Sequence, residues 1–135
     1  MKTFLAVAVL LTVLSLAQAG LDRAQSIATL KKCQKETGAK ENVEDVFDKQ
    51  IIPTSKEGKC MMACVLTEKG LMKDNKVDAT AVSNFFEKVY ADDPEQLEKA
   101  AGAVGKCSLI DVKGLDKCDV AVAYMKCGQE NDFRL

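Results

Sequence analysis

Six cysteines constrain the fold of this chain more than any other feature of its sequence. They lie between Cys33 and Cys127, and an even number of cysteines in a small exported chain is typical of a disulfide framework. A metal site is the alternative. It is disfavoured because the sequence has no C-x-x-C pair and no histidine, and because zinc requires free thiolates or imidazoles. We therefore predict three disulfide bridges, no metal and no other cofactor.

The start of the chain indicates export. Lys2 precedes an apolar run over 4–16, and a small-residue cleavage site ends at Ala19. A membrane anchor is the alternative, but about 13 apolar residues are fewer than the roughly 20 that span a bilayer. We predict a secretory signal peptide over 1–19 and a single mature domain over 20–135, which makes the protein secreted and extracellular.

Charge and composition exclude several classes of function. The 135 residues carry a formal net charge of −1, so no long-range field attracts nucleic acid, and we expect no nucleic-acid partner. The lack of histidine removes the Ser-His-Asp and Cys-His systems as well as the His-Asp pair of a secreted phospholipase. We therefore predict that the protein is not an enzyme. A saposin-like lipid module is a further alternative, but the central cysteine pair does not fit its pattern.

Apolar residues recur at helical spacing in six segments, and no run alternates long enough for a strand. The segments are 22–39, 43–51, 57–69, a fourth capped by Asp78 or Thr80 and running to Val89, a fifth opened by Asp93 and Pro94, and a sixth capped by Asp116. The pattern predicts an all-α domain of about six short helices, cross-linked by disulfides. Three bridges also permit an internal cavity, since they offset the free energy that empty apolar volume costs.

Helix geometry limits how the cysteines pair. Cys60 and Cys64 lie one turn apart on one helix face, so both point toward other helices. Cys118 and Cys127 would lie about 13 Å apart on one helix, beyond the reach of a disulfide. Excluding these two bridges leaves ten of the fifteen possible pairings open. Most of the ten make the third helix a hub joined to two other elements.

The cysteine spacing, Cys33-x26-Cys60-x3-Cys64-x42-Cys107-x10-Cys118-x8-Cys127, resembles that of the insect odorant-binding proteins, a family that includes the pheromone-binding proteins. The x3 and x8 gaps are the most rigid features of that family. The resemblance implies the bridges Cys33–Cys64, Cys60–Cys118 and Cys107–Cys127. It also implies six helices around an enclosed apolar pocket and reversible carriage of small hydrophobic molecules, such as volatile odorants or pheromones.

Such a pocket would be lined by apolar helix faces and by the chain end, although core packing is the alternative for each residue. The predicted ligand-binding residues are Val65, Leu66, Leu71, Met72, Val82, Phe85, Phe86, Val89, Leu97, Ala101, Val104, Ala121, Tyr124, Phe133 and Leu135. Phe85 and Phe86 cannot both face the pocket, because neighbours differ by about 100° around a helix. Tyr124 has a hydroxyl that would either orient a polar ligand group or reach solvent.

The predicted partner is a small hydrophobic ligand, and a chemosensory membrane receptor is a candidate protein partner. We expect a monomer or a weak homodimer. Two other interpretations remain open at the level of sequence: a non-olfactory secreted carrier of lipids or hydrophobic metabolites, and a secreted module that interacts with membranes or proteins.

Overall fold

Six helices and one short β-hairpin make up the part of the chain that the structure, a computed structural model, describes: residues 23–133. In chain order the elements are α1 (23–37), α2 (Val43–Asp48), α3 (Lys56–Glu68), β1 (Met72–Lys73), β2 (Lys76–Val77), α4 (Ala79–Val89), α5 (Pro94–Cys107) and α6 (Lys117–Glu130). The predicted all-α class with six helices is confirmed. The predicted signal peptide over 1–19 and the predicted site residue Leu135 lie outside the described residues.

The helices begin where local chemistry dictates. The side chains of Asp78, Asp93 and Asp116 each accept a hydrogen bond from a backbone N–H in the first turn of α4, α5 and α6. These carboxylates satisfy donors that the helix itself leaves unpaired, which stabilises a helix start by about 1 kcal/mol. Pro94 follows Asp93 at the first helical position, where its missing N–H has no cost. Asp78, not Thr80, is the cap of α4.

The connection after α3 folds into a hairpin that the sequence pattern did not predict. Met72 pairs with Val77 and Lys73 with Lys76, while Asp74 and Asn75 form the turn with φ of 52° and 61°. Two successive residues in the left-handed region are typical of a type I′ turn, whose twist matches that of the paired strands. Strands of two residues are too short to show an alternating pattern, so the sequence carries no strand signal here.

Three disulfides tie the helices together, and they leave no cysteine free. Cys33–Cys64 joins α1 to α3, Cys60–Cys118 joins α3 to α6, and Cys107–Cys127 joins α5 to α6. This is one of the ten pairings that helix geometry leaves open, and it is the one that the resemblance implies. Helix α3 holds two of the six cysteines, so it is covalently bound to both α1 and α6.

The core has two parts. The larger part lies between α1, α3 and α6 and includes Met61, Val120 and Ala121, which are almost completely buried. The smaller part joins α4, α5 and the chain end through Phe86, Ala100, Ala103 and Phe133.

None of the helices within residues 23–133 combines the length and the apolarity that crossing a membrane requires.

Candidate functional site

A partly enclosed, mostly apolar cavity of about 90 Å³ lies where α3, α4, α5 and α6 meet. By the roughly 15 Å³ that one water molecule needs, it has room for several waters, and a larger ligand would extend through its open side or displace its walls. Its walls are formed by Gln50, Leu66, Leu71, Val77, Ala79, Val82, Phe86, Ala103, Val104, Cys107, Ser108, Tyr124, Met125, Gly128, Gln129 and Phe133.

The structure brings about half of the predicted site residues together around this cavity. Those that line it are Leu66, Leu71, Val82, Phe86, Val104, Tyr124 and Phe133. Those that do not line it are Val65, Met72, Phe85, Val89, Leu97, Ala101 and Ala121. The residues of the second group lie away from this cavity for different structural reasons, given below for α4, for α5 and for the remaining three residues.

In α4, the predicted site residues lie on different faces of the helix, and only one of these faces lines the cavity. Ala79, Val82 and Phe86 face the cavity at positions i, i+3 and i+7. Phe85 packs edge-on against Phe86, with ring centroids 5.6 Å apart, and the Lys69 ammonium lies over the Phe85 ring, 5.3 Å from its centroid. Val89 is 53% exposed. One phenylalanine of the pair thus reaches the cavity, as the 100° offset between neighbours requires.

In α5, the Cys107–Cys127 disulfide determines which face of the helix points toward α6 and the cavity. Cys107 must point toward Cys127 on α6, and Ala100 and Ala103 precede it by seven and four residues on the same face. Ala101 lies six residues before Cys107, about 120° away around the helix, and is exposed. Leu97 is only partly buried and packs at the edge of the smaller core.

The other three residues are buried without reaching the cavity. Val65 on α3, Met72 in the hairpin and Ala121 on α6 are 7%, 4% and 0% exposed and belong to the larger core. Hydrophobic periodicity does not distinguish a residue that packs between helices from one that faces an empty volume.

Sequence reasoning missed the polar end of the cavity. Gln50 follows α2 with a φ of 53°, and its side-chain amide donates to Phe47 O at 2.7 Å. The amide of Gln129 donates to Gln50 O, also at 2.7 Å. Gln129 was accessible to sequence reasoning, because it lies one turn after Met125 on the same face of α6. Gln50 carried no such signal, since only the tertiary fold brings it to α6.

The segment after α6, which ends in the described chain at Phe133, closes the side of the cavity that faces α4. The Phe133 ring meets Phe86 edge-on with centroids 4.8 Å apart, and Tyr90 lies 6.1 Å from both rings. The backbone N–H of Phe133 donates to Gly128 O at 2.9 Å. Burial, and then the nearby charge of Asp93, raises the pKa of the Tyr90 hydroxyl, so Tyr90 stays neutral.

The described residues offer one group of three potential metal ligands, formed by Cys33, Glu36 and Cys64. The two sulfurs are bonded to each other, so neither is a thiolate that could bind a metal. The Glu36 carboxylate lies against the bridge on the protein surface.

Six helices held by three disulfides around an apolar cavity define a class of small helical carriers of hydrophobic molecules. The sequence profile of the PBP/GOBP family matches residues 22–131. The chain therefore belongs to this family, the odorant-binding proteins of insects.

Individual relatives agree with this assignment. General odorant-binding protein 19d of Drosophila melanogaster is 29% identical over 109 residues, which cover 79% of this chain and 71% of that protein. The solved structure of odorant-binding protein dmelOBP28a from Drosophila melanogaster has a TM-score of 0.68 at 26% identity and covers 82% of this chain and 91% of its own. The fatty acid binding protein OBP56a from the oral disk of the blowfly Phormia regina shares the fold, with a TM-score of 0.62 at 23% identity over 82% and 91% of the two chains.

Proposed function

We propose that this protein is a secreted carrier that reversibly binds small hydrophobic molecules, of the volatile odorant or pheromone type, in the cavity between α3, α4, α5 and α6. The observation that carries the proposal is the apolar cavity itself, found in a chain of the PBP/GOBP family. Transfer of apolar surface from water into such a cavity is favourable by about 25 cal/mol per Å², which suffices for reversible binding without covalent chemistry.

The stability of the fold is consistent with a protein whose cavity is unoccupied between binding events. Unfilled apolar volume costs about 24 cal/mol per Å³, so a cavity of about 90 Å³ costs on the order of 2 kcal/mol. Each disulfide contributes roughly 2–4 kcal/mol in the chain-entropy description. Three bridges therefore allow the domain to keep the cavity open and remain folded.

A carrier of fatty acids or other lipids outside the olfactory organs is the second candidate. It is favoured by the structural neighbour that is a fatty acid binding protein. Ligand competition separates the two chemically, and transcript abundance separates them by tissue: antennal enrichment supports an olfactory role, whereas glandular or broad expression supports the alternative.

The test is a titration of the oxidised mature protein with a fluorescent apolar probe, N-phenyl-1-naphthylamine, because the chain has no tryptophan to report binding. Ala103→Leu extends a side chain of the cavity wall into the empty volume, and we expect it to weaken probe binding at least tenfold. Ala101→Leu makes the same change two residues away on the exposed side of α5 and should leave binding unchanged.

No saturable binding by the wild-type protein would contradict the carrier function. Equal binding by both variants would place the ligand elsewhere. Circular dichroism of each variant before titration separates lost binding from lost folding.

A further inference from the structure

The polar end of the cavity presents hydrogen-bond acceptors. The side-chain nitrogens of Gln50 and Gln129 face the backbone oxygens of Phe47 and Gln50. Only an amide nitrogen can donate to a carbonyl oxygen, so these contacts fix which way each amide is turned. The two amide oxygens accept no hydrogen bond from any group among the described residues, and each has lone pairs left for a ligand.

The same wall carries no charge. Between residues 23 and 133, no lysine, arginine, aspartate or glutamate lines the cavity. The other polar side-chain groups are the Tyr124 hydroxyl and the hydroxyl of Ser108, the residue after α5, which donates to Gly105 O at 2.9 Å. An ionised carboxylate brought here would lose its hydration without gaining a cation, which is strongly unfavourable.

We infer that the cavity selects neutral small molecules that carry a hydroxyl group over ionised carboxylic acids, and that Gln50 and Gln129 determine this preference. A ligand hydroxyl donates to an amide oxygen, while its hydrocarbon part lies against Leu66, Val82 and Phe86. This inference rests on the proposed carrier function and narrows it to a ligand class, alcohols, which differs from the fatty acids named for one structural neighbour.

The experiment displaces bound N-phenyl-1-naphthylamine with nonanol and with nonanoic acid, matched in chain length and kept below concentrations that form micelles. At pH 7 the acid is ionised, and we expect nonanol to displace the probe at a concentration at least tenfold lower. Lowering the pH to about 4 returns part of the acid to its neutral form, so the difference should shrink while folding, followed by circular dichroism, is retained.

Two substitutions and one control assign the preference to the amides. Gln129→Met removes the acceptor at nearly constant volume and should weaken nonanol displacement about fivefold, the typical effect of one hydrogen bond. Gln129→Lys introduces a cation and should strengthen nonanoate displacement. Gln34→Met is the matched control, because the Gln34 amide also donates to a backbone oxygen, Glu41 O at 2.7 Å, but lies outside the cavity.

Each outcome has one meaning. Equal displacement by the alcohol and the acid, or stronger displacement by the acid, would overturn the inference and leave the carrier function standing. A preference unchanged in both Gln129 variants would overturn the assignment to the amides. Failure of the wild-type protein to bind the probe would overturn the carrier function, and this inference with it.

Discussion

At the end of the described chain, Phe133 performs two structural roles with one side chain. It is 5% exposed, packs edge-on against Phe86 and also forms part of the cavity wall. The turn that brings it there places Asp132 at a φ of 58°, after which Phe133 N–H donates to Gly128 O. A side chain that is part of both the core and the wall couples stability to the shape of the cavity.

Phe133→Ala should therefore lower the free energy of unfolding by about 2 kcal/mol, because it removes buried aromatic surface and the contact with Phe86. Urea denaturation of the oxidised protein, followed by circular dichroism, measures the change. Leu109→Ala is the control, since Leu109 is 84% exposed, and it should not shift the midpoint. An unchanged midpoint for Phe133→Ala would show that the chain end does not contribute to the stable core.

At the scale of elements, α1 is attached to its neighbours by surface ion pairs as well as by a disulfide. Arg23 pairs with Asp48, the last residue of α2, through two hydrogen bonds of 3.0 and 2.6 Å. Lys31 pairs with Glu44 of α2 at 3.0 Å. The hydrogen bond from Arg23, together with the positive charge of Arg23, lowers the pKa of the Asp48 carboxyl below its ordinary value of 3.8. All of these groups are exposed, so each pair contributes little to stability.

The lowered pKa of Asp48 determines how its contribution to stability depends on pH. Because the folded-state pKa of Asp48 lies below its unfolded value, its contribution to stability is present above about pH 4 and is lost as the pH falls through the folded value. We expect Asp48→Asn to lower the melting temperature slightly at pH 7, by an amount that shrinks as the pH falls below about 4 and also shrinks in 1 M salt. Asp92→Asn, at an exposed position before α5, is the control. A pH-independent difference would attribute the effect of Asp48→Asn to packing.

The elements also show what the sequence could and could not predict. Local chemistry was sufficient for the helices and for the caps Asp93 and Asp116, since a cap depends on residues three positions away. It left Asp78 and Thr80 as alternatives for the cap of α4, and the structure places the cap at Asp78. The inward face of α5 was not predictable from apolar periodicity, because it is set by a bridge to Cys127 on another helix. Gln50 was beyond prediction for the same reason: its contact with Gln129 joins residues 79 positions apart.

At the scale of the whole molecule, the three bridges have unequal roles. Cys60–Cys118 spans 58 residues between α3 and α6 in the larger core, whereas Cys107–Cys127 spans 20 residues and Cys107 lines the cavity. In the chain-entropy description, the longer loop contributes about 4 kcal/mol and the shorter one about 3 kcal/mol. We therefore expect the loss of Cys60–Cys118 to lower stability more, and the loss of Cys107–Cys127 to lower ligand affinity more.

Replacing both members of each bridge with alanine tests this order. We expect the Cys60→Ala, Cys118→Ala variant to lose more stability in urea denaturation. The Cys107→Ala, Cys127→Ala variant should lose more affinity for the apolar probe, because α5 is then free to rotate and Ala103 and Val104 leave the wall. If the first variant lost more affinity while remaining folded, the bridge at the cavity would have no specific role in shaping it.

The three disulfide bridges also determine which pieces of the protein stay joined after the backbone is cleaved. The turn at Asp74 and Asn75 is exposed and lies between Cys64 and Cys107 in the chain. After a single cleavage there, Cys60–Cys118 still joins the piece that contains α3 to the piece that contains α4, α5 and α6. The two pieces would migrate as one species until a reductant separates them, so the walls of the cavity would remain in one covalent molecule after the chain itself is broken.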